Sequence, residues 1–293
     1  MTRVTSPVLL VTCAALPDGE PGGEHLLEAL DARGIAARWV AWDDPSVDWA
    51  AAPLVAVRST WDYDQRLGEF LAWAERVGAE AGDRLLNGSA VFGWNADKRY
   101  LAELYAAGLP VVPTLVAEDE GELPPAIATY EHAVVKSTVG AGGRGVVVFD
   151  GVPGGPEELD ESALLAGPWV VQPLVESIRT VGEHSVFVLG GRAQGQVRKL
   201  PAGEEIRVHE EYGGASAPVE LDPQAAARAA TVVSHVERTH GWTLDYARVD
   251  LLHFEGRWVV SELELIEPGL YLDVRPELAP AFADVVAARL ALS

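Results

Sequence analysis

The sequence predicts an α/β fold, a mostly parallel sheet followed by a strand-rich α+β region. Two observations predict it. Up to Asn87, short apolar runs alternate with helical stripes, the rhythm of βαβ units. From Ala133 the pattern changes to successive strands joined by turns. The 293 residues, 48% of them apolar, suffice for two domains or one large unit with a real core.

Val8 to Thr12 reads as a buried strand, Glu24 to Arg33 as a helix stopped by Gly34, and Ala36 to Val40 and Leu54 to Arg58 as the next strands. Leu67, Phe70, Leu71 and Ala74 share a helical stripe closed by Gly78, and Arg84 to Asn87 reads as a short strand. In parallel sheets ligands sit beyond the carboxyl ends of the strands, here Cys13 to Asp18 and Arg58 to Tyr63. Asn95 is placed to cap a helix over Asp97 to Ala107, with Gly108 as its left-handed stop. Lys98 in the first turn of that helix argues for an anionic partner, because a cation gains nothing from the positive end of the dipole. Val111 to Val116 reads as a strand, and the acidic stretch Glu118 to Pro125 as a surface loop. Strands follow at Ala133 to Lys136, Val146 to Phe149, Trp169 to Pro173, Glu183 to Leu189 and Arg192 to Lys199, with one short helix near Glu157 to Leu165. Asp222-Pro223 opens a helix to about Thr239. Tyr246 to Phe254 and Arg257 to Leu265 form a hairpin, and Pro276 to Leu290 is the closing helix.

Charge excludes one class of function. A net charge of −22 disfavours attraction to nucleic acid or to an anionic membrane surface, so a small-molecule partner is expected and any phosphate must be gripped locally. Of the 22 basic residues, 19 are arginine and three are lysine: Lys98, Lys136 and Lys199. Arginine serves wherever only a solvated charge is needed, so the three lysines are either chance survivors or positions needing a compact ammonium against phosphate. A lone Cys13, no long apolar run and no secretory pattern at the N-terminus point to a soluble cytoplasmic protein, monomer or homodimer.

Lys136-Ser-Thr-Val-Gly140-Ala-Gly142-Gly143-Arg-Gly145 contains a literal G-x-G-x-x-G, but a strand follows where a dinucleotide-binding unit needs a helix. A glycine-rich loop between strands instead suits a flap that offers backbone N–H groups to nucleotide phosphates. The glycine density, with Lys136 at the preceding strand end, favours the flap over a plain flexible hairpin. In the later hairpin, a three-residue loop of Phe254, Glu255 and Gly256 pairs Arg248 with Glu262 and Tyr246 with Glu264. Alternation then sets Arg248, Asp250, Glu262 and Glu264 on one face, and Ala247, Val249, Leu251, Val259 and Leu263 on the core face. Three clustered acids repel unless cations compensate, and Mg2+ beside nucleotide phosphates is the natural compensator. Val170 to Val175 reads either as a strand end or as a hinge presenting backbone groups to an adenine edge, and Glu183 is placed to accept from ribose hydroxyls. His209, His235 and His240 show no metal-ligand spacing, and G-x-S-x-G, Walker A and HExxH motifs do not occur.

A helix-borne lysine, a strand-end lysine with a glycine flap, a hinge and an acidic hairpin, in that order, resemble the ATP-grasp carboxylate-amine ligases over residues 95 to 275. The most specific part is Ala247-Arg-Val-Asp250 followed by Glu262-Leu-Glu264. The resemblance implies an ATP-grasp fold: an N-terminal Rossmann-like parallel-sheet domain over 1–94, a small ATP-binding subdomain with the flap over 95–171, and a C-terminal subdomain with the Mg2+ site over 172–293. It implies Lys98 and Lys136 as phosphate lysines, and Gly140, Gly142, Gly143 and Gly145 as the flap. Gln172 and Val175 become the adenine hinge and Glu183 the ribose ligand. Asp250, Glu262 and Glu264 become the Mg2+ ligands, with Arg248 stabilising the transferred phosphoryl group. Glu264 departs from the pattern, since many members carry asparagine there; the oxygen ligand is kept and a negative charge is added.

The runs Arg58-Ser-Thr-Trp-Asp-Tyr63, Trp94 to Leu101, Glu211-Tyr-Gly-Gly214 and Glu264 to Gly269 are similar to the branch containing the D-cycloserine synthetases. That branch implies activation of an amino-acid-like carboxylate as an acyl phosphate and ring closure of O-ureido-D-serine to D-cycloserine, with ATP and Mg2+ required. The same runs supply the substrate-side candidates Arg58, Ser59, Thr60, Asp62, Tyr212, Gly213, Gly214 and Glu267. Lys199 joins Lys136 and Arg248 in neutralising the phosphoryl group. Arg207 and the Tyr212 turn are placed equally well for a substrate carboxylate and for surface roles. A ligase joining a separate amine and a non-catalytic nucleotide-binding module are the competing expectations.

Overall fold

The computed structural model describes residues 6–150 and 164–292. Strand β1 (Val8–Thr12) lies between β2 (Ala37–Ala41) and β3 (Val55–Ser59), all parallel. Its continuous apolar run reflects burial on both faces. Leu9 and Val11 face helix α2 (Leu67–Ala81) through Phe70 and Trp73, while Val8 and Leu10 share a core with helix α1 (Glu24–Asp31) and Phe282 of the C-terminal helix. Helix α2 runs past the expected stop at Gly78 and ends at Gly82, whose φ of +58° suits a residue without Cβ. Arg84 to Asn87 is not a strand; one bridge, Leu85 to Val55, follows a 3-10 turn over Gly82–Arg84.

Two short helices were not foreseen. Helix α3 (Ser89–Asn95) ends on Asn95, which therefore caps nothing. Instead Asn95 Nδ2 donates to Leu263 O at 2.8 Å and its Oδ1 accepts from Leu265 N at 2.7 Å, tying this helix to the acidic hairpin. Helix α4 (Arg99–Ala106) begins directly after Lys98. Most of the expected Val111 to Val116 strand is diverted: Val112 N donates to Val260 O at 2.9 Å and Val260 N to Pro110 O at 2.8 Å, leaving only β4 (Leu115–Ala117). Helix α5 (Leu123–Ile127) replaces part of the expected loop, because Pro124 and Pro125 occupy a first turn that needs no N–H and Leu123 and Ile127 find a core.

β5 (His132–Ser137), β6 (Val147–Asp150) and β7 (Trp169–Pro173) complete an antiparallel sheet in the order β4-β7-β5-β6, and the glycine flap joins β5 to β6. The helix expected at 157–165 falls largely outside the described residues. A third, antiparallel sheet runs β10-β9-β8-β11-β12, from β8 (Glu183–Leu189), β9 (Arg192–Leu200), the unforeseen β10 (Ala215–Val219, with Pro218), β11 (Tyr246–Phe254) and β12 (Arg257–Glu264). Helix α6 (Pro223–His240) is capped by Asp222, and α7 (Leu278–Leu292) closes the fold.

The β11–β12 register differs from the expected one. The turn has two residues, Glu255 (φ +50°) and Gly256 (φ +77°), and pairs Phe254 with Arg257. A bulge after Val260 then aligns Asp250 with Glu262 and Arg248 with Glu264. The extra residue reverses side-chain parity, so Val260 takes the core position expected for Val259, and Val259 packs with Leu252 beneath the cavity.

Candidate active site

A cavity of about 420 Å3 is lined by both antiparallel sheets and by the loops that follow β1 and β3, a size suited to a small-molecule ligand. Of the nucleotide-side candidates, Lys98, Lys136, Gly140, Gly142, Gly143, Gln172, Val175 and Glu183 line it. Val134, Leu174, Ile178 and Leu252 give it an apolar floor. Gln172 is buried and donates to Thr114 Oγ1 at 2.9 Å, which fixes the strand end where the chain turns toward Val175. Gly145 does not line the cavity; its neighbour Val146 does.

Strand register assembles the charged wall. Glu183 pairs with Lys199, Ser185 with Asp250, and Asp250 with Glu262, so each group faces its cross-strand neighbour. Lys199, 1% exposed, holds Glu183 Oε1 at 2.6 Å and Asp250 Oδ1 at 3.3 Å. Arg248 Nη2 reaches Asp250 Oδ2 at 2.8 Å and also pairs with Glu264, and Ser185 Oγ donates to Asp250. Ser261, projected by the bulge, donates to Glu183 Oε2 at 3.0 Å. Lys98 Nζ lies 3.3 Å from Glu262 Oε1 and donates to the flap carbonyl of Gly140. Tyr271 lies beneath both cations, its ring centroid 5.9 Å from Lys199 Nζ and 5.7 Å from the Arg248 guanidinium carbon.

These contacts divide the acids. Burial pushes the Asp250 carboxyl up, but Arg248 and Lys199 outweigh it and hold it well below the carboxylate range. For Glu262 burial is likewise overcome, by Lys98 and Lys136. For Glu264 burial wins, aided by Asp250 and Glu262 against Arg248, and its pKa rises to about 7. Glu267 is raised well above its ordinary range by burial and by Glu264. Among the described residues no set of three or more His, Cys, Asp or Glu is arranged to hold a metal ion, so the expected triad is not an open three-carboxylate cage. Asp250 is saturated by Arg248, Lys199 and Ser185, whereas the Glu262 and Glu264 side chains are part-exposed at the cavity. Magnesium takes one or two carboxylates and completes its shell with phosphates and water, so this pair of hard oxygen donors fits it.

The substrate-side expectations after β3 miss the cavity, and two neighbours take their place. Trp61 and Tyr63 line the cavity, while Arg58, Ser59, Thr60 and Asp62 do not. Arg58 is 0% exposed: its Nη2 donates to Glu20 Oε1 at 3.0 Å and to Pro268 O at 2.6 Å, and its guanidinium lies 4.7 Å from the Phe282 ring. Ser59 donates to Thr12, and Asp62 accepts from Trp42 and Arg66. Glu267 lines the cavity, as do Glu20, Tyr271 and Asp273, which the sequence reading passed over. Arg207 lines it too, stacked 3.6 Å from the Tyr212 ring centroid and paired with Glu205 at 2.6 Å. Tyr212, Gly213 and Gly214 lie behind this wall; a Cβ on Gly214 would sit 2.1 Å from Val208 O, so glycine is what lets the turn close. His209 lines the cavity with a buried Nδ1 that has no hydrogen-bond partner among the described residues, and burial and the Lys199 charge lower its pKa. Spacing could not find it, because one histidine in a loop has no period.

The family model for the N-terminal domain of D-cycloserine synthetase DcsG matches residues 8–87, and that for the ATP-grasp domain of prokaryotic glutathione synthetase matches 102–246. The cycloserine biosynthesis protein DcsG of Streptomyces lavendulae is 33% identical over 279 residues, 90% of this chain and 92% of its own. A glutathione synthetase of Rhodopseudomonas palustris is 26% identical over 190 residues, covering 61% of this chain and 56% of its own. The crystal structure of D-cycloserine synthetase DcsG superposes with a TM-score of 0.84 at 32% identity, covering 97% of this chain and all of that one. The D-alanine–D-alanine ligase of Bacillus anthracis, 13% identical with a TM-score of 0.68 over 98% of both chains, shares the fold. A cavity framed by a glycine flap, two lysines and an acidic hairpin, on a chain matched almost end to end, identifies this protein as a member of the D-cycloserine synthetase family of ATP-grasp ligases.

Proposed function

We propose that this chain is an ATP- and Mg2+-dependent cyclo-ligase that converts O-ureido-D-serine to D-cycloserine in the cytoplasm. The observation that carries this reading is the 33% identity to DcsG across 90% of the chain, which includes the N-terminal substrate side and not only the nucleotide half. Residues 1–94 then form the substrate-side domain, 95–171 the flap-bearing subdomain and 172–293 the subdomain holding Mg2+.

Lys98 and Lys136 neutralise the nucleotide phosphates, Gln172 and Val175 border the adenine, and flap N–H groups face the transferred phosphoryl group. Glu183, already bound by Lys199 and Ser261, presents its remaining lone pairs to the ribose. Glu262 and Glu264 would hold Mg2+, which would supply charge neutralisation for the phosphates. Arg248 and Lys199 stabilise the charge that builds as the carboxylate attacks the γ-phosphorus and ADP leaves, and Arg207 borders the same space. The ureido nitrogen next to oxygen then attacks the acyl carbon, the C–O bond to the phosphoryl group breaks and phosphate leaves. Hydrolysis of the ring carbamoyl group by one water releases carbon dioxide and ammonia. Trp61, Tyr63 and Glu267 border the space available to the amino-acid part.

Incubation with ATP, Mg2+ and O-ureido-D-serine should yield ADP and cycloserine in equal amounts. ADP release only after a second amine is added would instead establish an intermolecular ligase.

A further inference from the structure

The glycine flap is fastened outside the sheet that bears it. Arg144 Nη2 lies 2.6 Å from each carboxylate oxygen of Asp64, and Asp64 Oδ2 accepts from Ala141 N at 3.2 Å. Asp64 sits in the 3-10 turn Tyr63–Arg66 that follows β3, on the same run that sends Trp61 and Tyr63 into the cavity. Its side chain is 5% exposed and that of Arg144 is 36% exposed, so the acid is fixed in the N-terminal region and the flap comes to it. On its other side the flap rests on the loop after β9: a Cβ on Gly143, whose φ is +70°, would meet Arg207 Cδ and Tyr212 Cε2 at 3.3 Å. The flap therefore contacts two parts of the chain far apart in sequence, the turn after β3 and the loop after β9.

We propose that Asp64 is a positioning residue that latches the flap through Arg144 and the Ala141 N–H, sealing the nucleotide compartment onto the turn that carries Trp61 and Tyr63. The proposal rests on the ligase reading above and assigns the latch the task of coupling. The acyl phosphate has two fates. Attack by the substrate nitrogen makes the C–N bond. Attack by water at the same carbon breaks the same C–O bond, returns the carboxylate and phosphate, and wastes one ATP. A latched flap excludes that water.

Two measurements on the full chain test this. Arg144 is itself a trypsin site, so Asp64→Ala should speed cleavage after residue 144 about tenfold through local opening, with the global melting temperature unchanged. With ATP, Mg2+ and O-ureido-D-serine, Asp64→Ala and Arg144→Ala should lower cycloserine formed per ADP about threefold or more, and Arg144→Lys should restore most of the ratio. Unchanged cleavage at residue 144 in Asp64→Ala, or an unchanged product-to-ADP ratio in an active variant, overturns the latch. Absence of any product from the unaltered protein overturns the ligase reading instead, and the trypsin measurement still decides the latch.

Discussion

Lys199 shows how much one residue type can reveal. With 19 arginines against three lysines, each lysine is conspicuous in the sequence, and all three line one cavity. Lys199 pairs with buried Asp250 and part-buried Glu183, so Lys199→Met should cost about 3 kcal/mol in denaturant unfolding, because Asp250 keeps Arg248 and Ser185 while Glu183 loses its cation. Glu262 is part-exposed and its substitution strands little, so Glu262→Gln should reduce ADP formation at least about a hundredfold, while its unfolding midpoint moves by less than about 1 kcal/mol. Retained turnover would remove Glu262 from the proposed Mg2+ site. Ser185, Ser261 and Tyr271 are equally close to the chemistry but were illegible, because serine and tyrosine are ordinary residues whose roles arise only from register. Arg58 misled for the opposite reason. A charged residue beside a strand end suggests a ligand contact, and its true partners, Glu20 and the carbonyl of Pro268, lie far away in sequence.

At the scale of elements, those with strong periodicity were legible, and β1, β7, β8 and β11 match the expected bounds. Helices α3 and α5 carry Gly93 and a Pro-Pro pair, which read as breakers until tertiary packing supplies their apolar partners. The two-residue turn and the compensating bulge of β11–β12 could not be inferred from alternation, since the bulge restores the expected face while shifting the pairs. The α6 cap was legible and gives a test with a definite sign. Asp222 Oδ1 accepts from Ala225 N and Gln224 N, bonds that hold its carboxyl below the usual 3.8. Asp222→Ala should cost about 1 kcal/mol at neutral pH. Because the folded pKa is depressed, the contribution is complete above the unfolded value and is lost as pH falls below it. Chemical unfolding of both proteins at pH 7 and pH 3 should show the difference shrinking in acid.

At the scale of the whole molecule, the expected boundary at residue 94 does not divide the hydrophobic interior. One core joins Leu10, Leu30, Tyr246 and Phe282, and another joins Val57, Phe92, Val232 and Leu263. No local pattern encodes these unions: the first depends on α7 returning to the first sheet, the second on α2 and α3 meeting α6 and the β11–β12 hairpin. Phe282→Ala should cost about 3–5 kcal/mol, and tryptophan fluorescence and far-UV dichroism should still fall in one shared transition. Separate transitions would restore an independent N-terminal unit. The five-stranded sheet has a further property at its two borders. Pro218 removes a donor from β10, and Pro110 to Val112 already occupies part of the outer rim of β12. Neither rim can readily recruit a strand from another copy. A homodimer seam at this sheet must be built from side-chain surfaces, and the apolar strands between those rims are shielded from cross-β stacking even in acid, where protonation of the carboxylates weakens the repulsion supplied by a charge of −22.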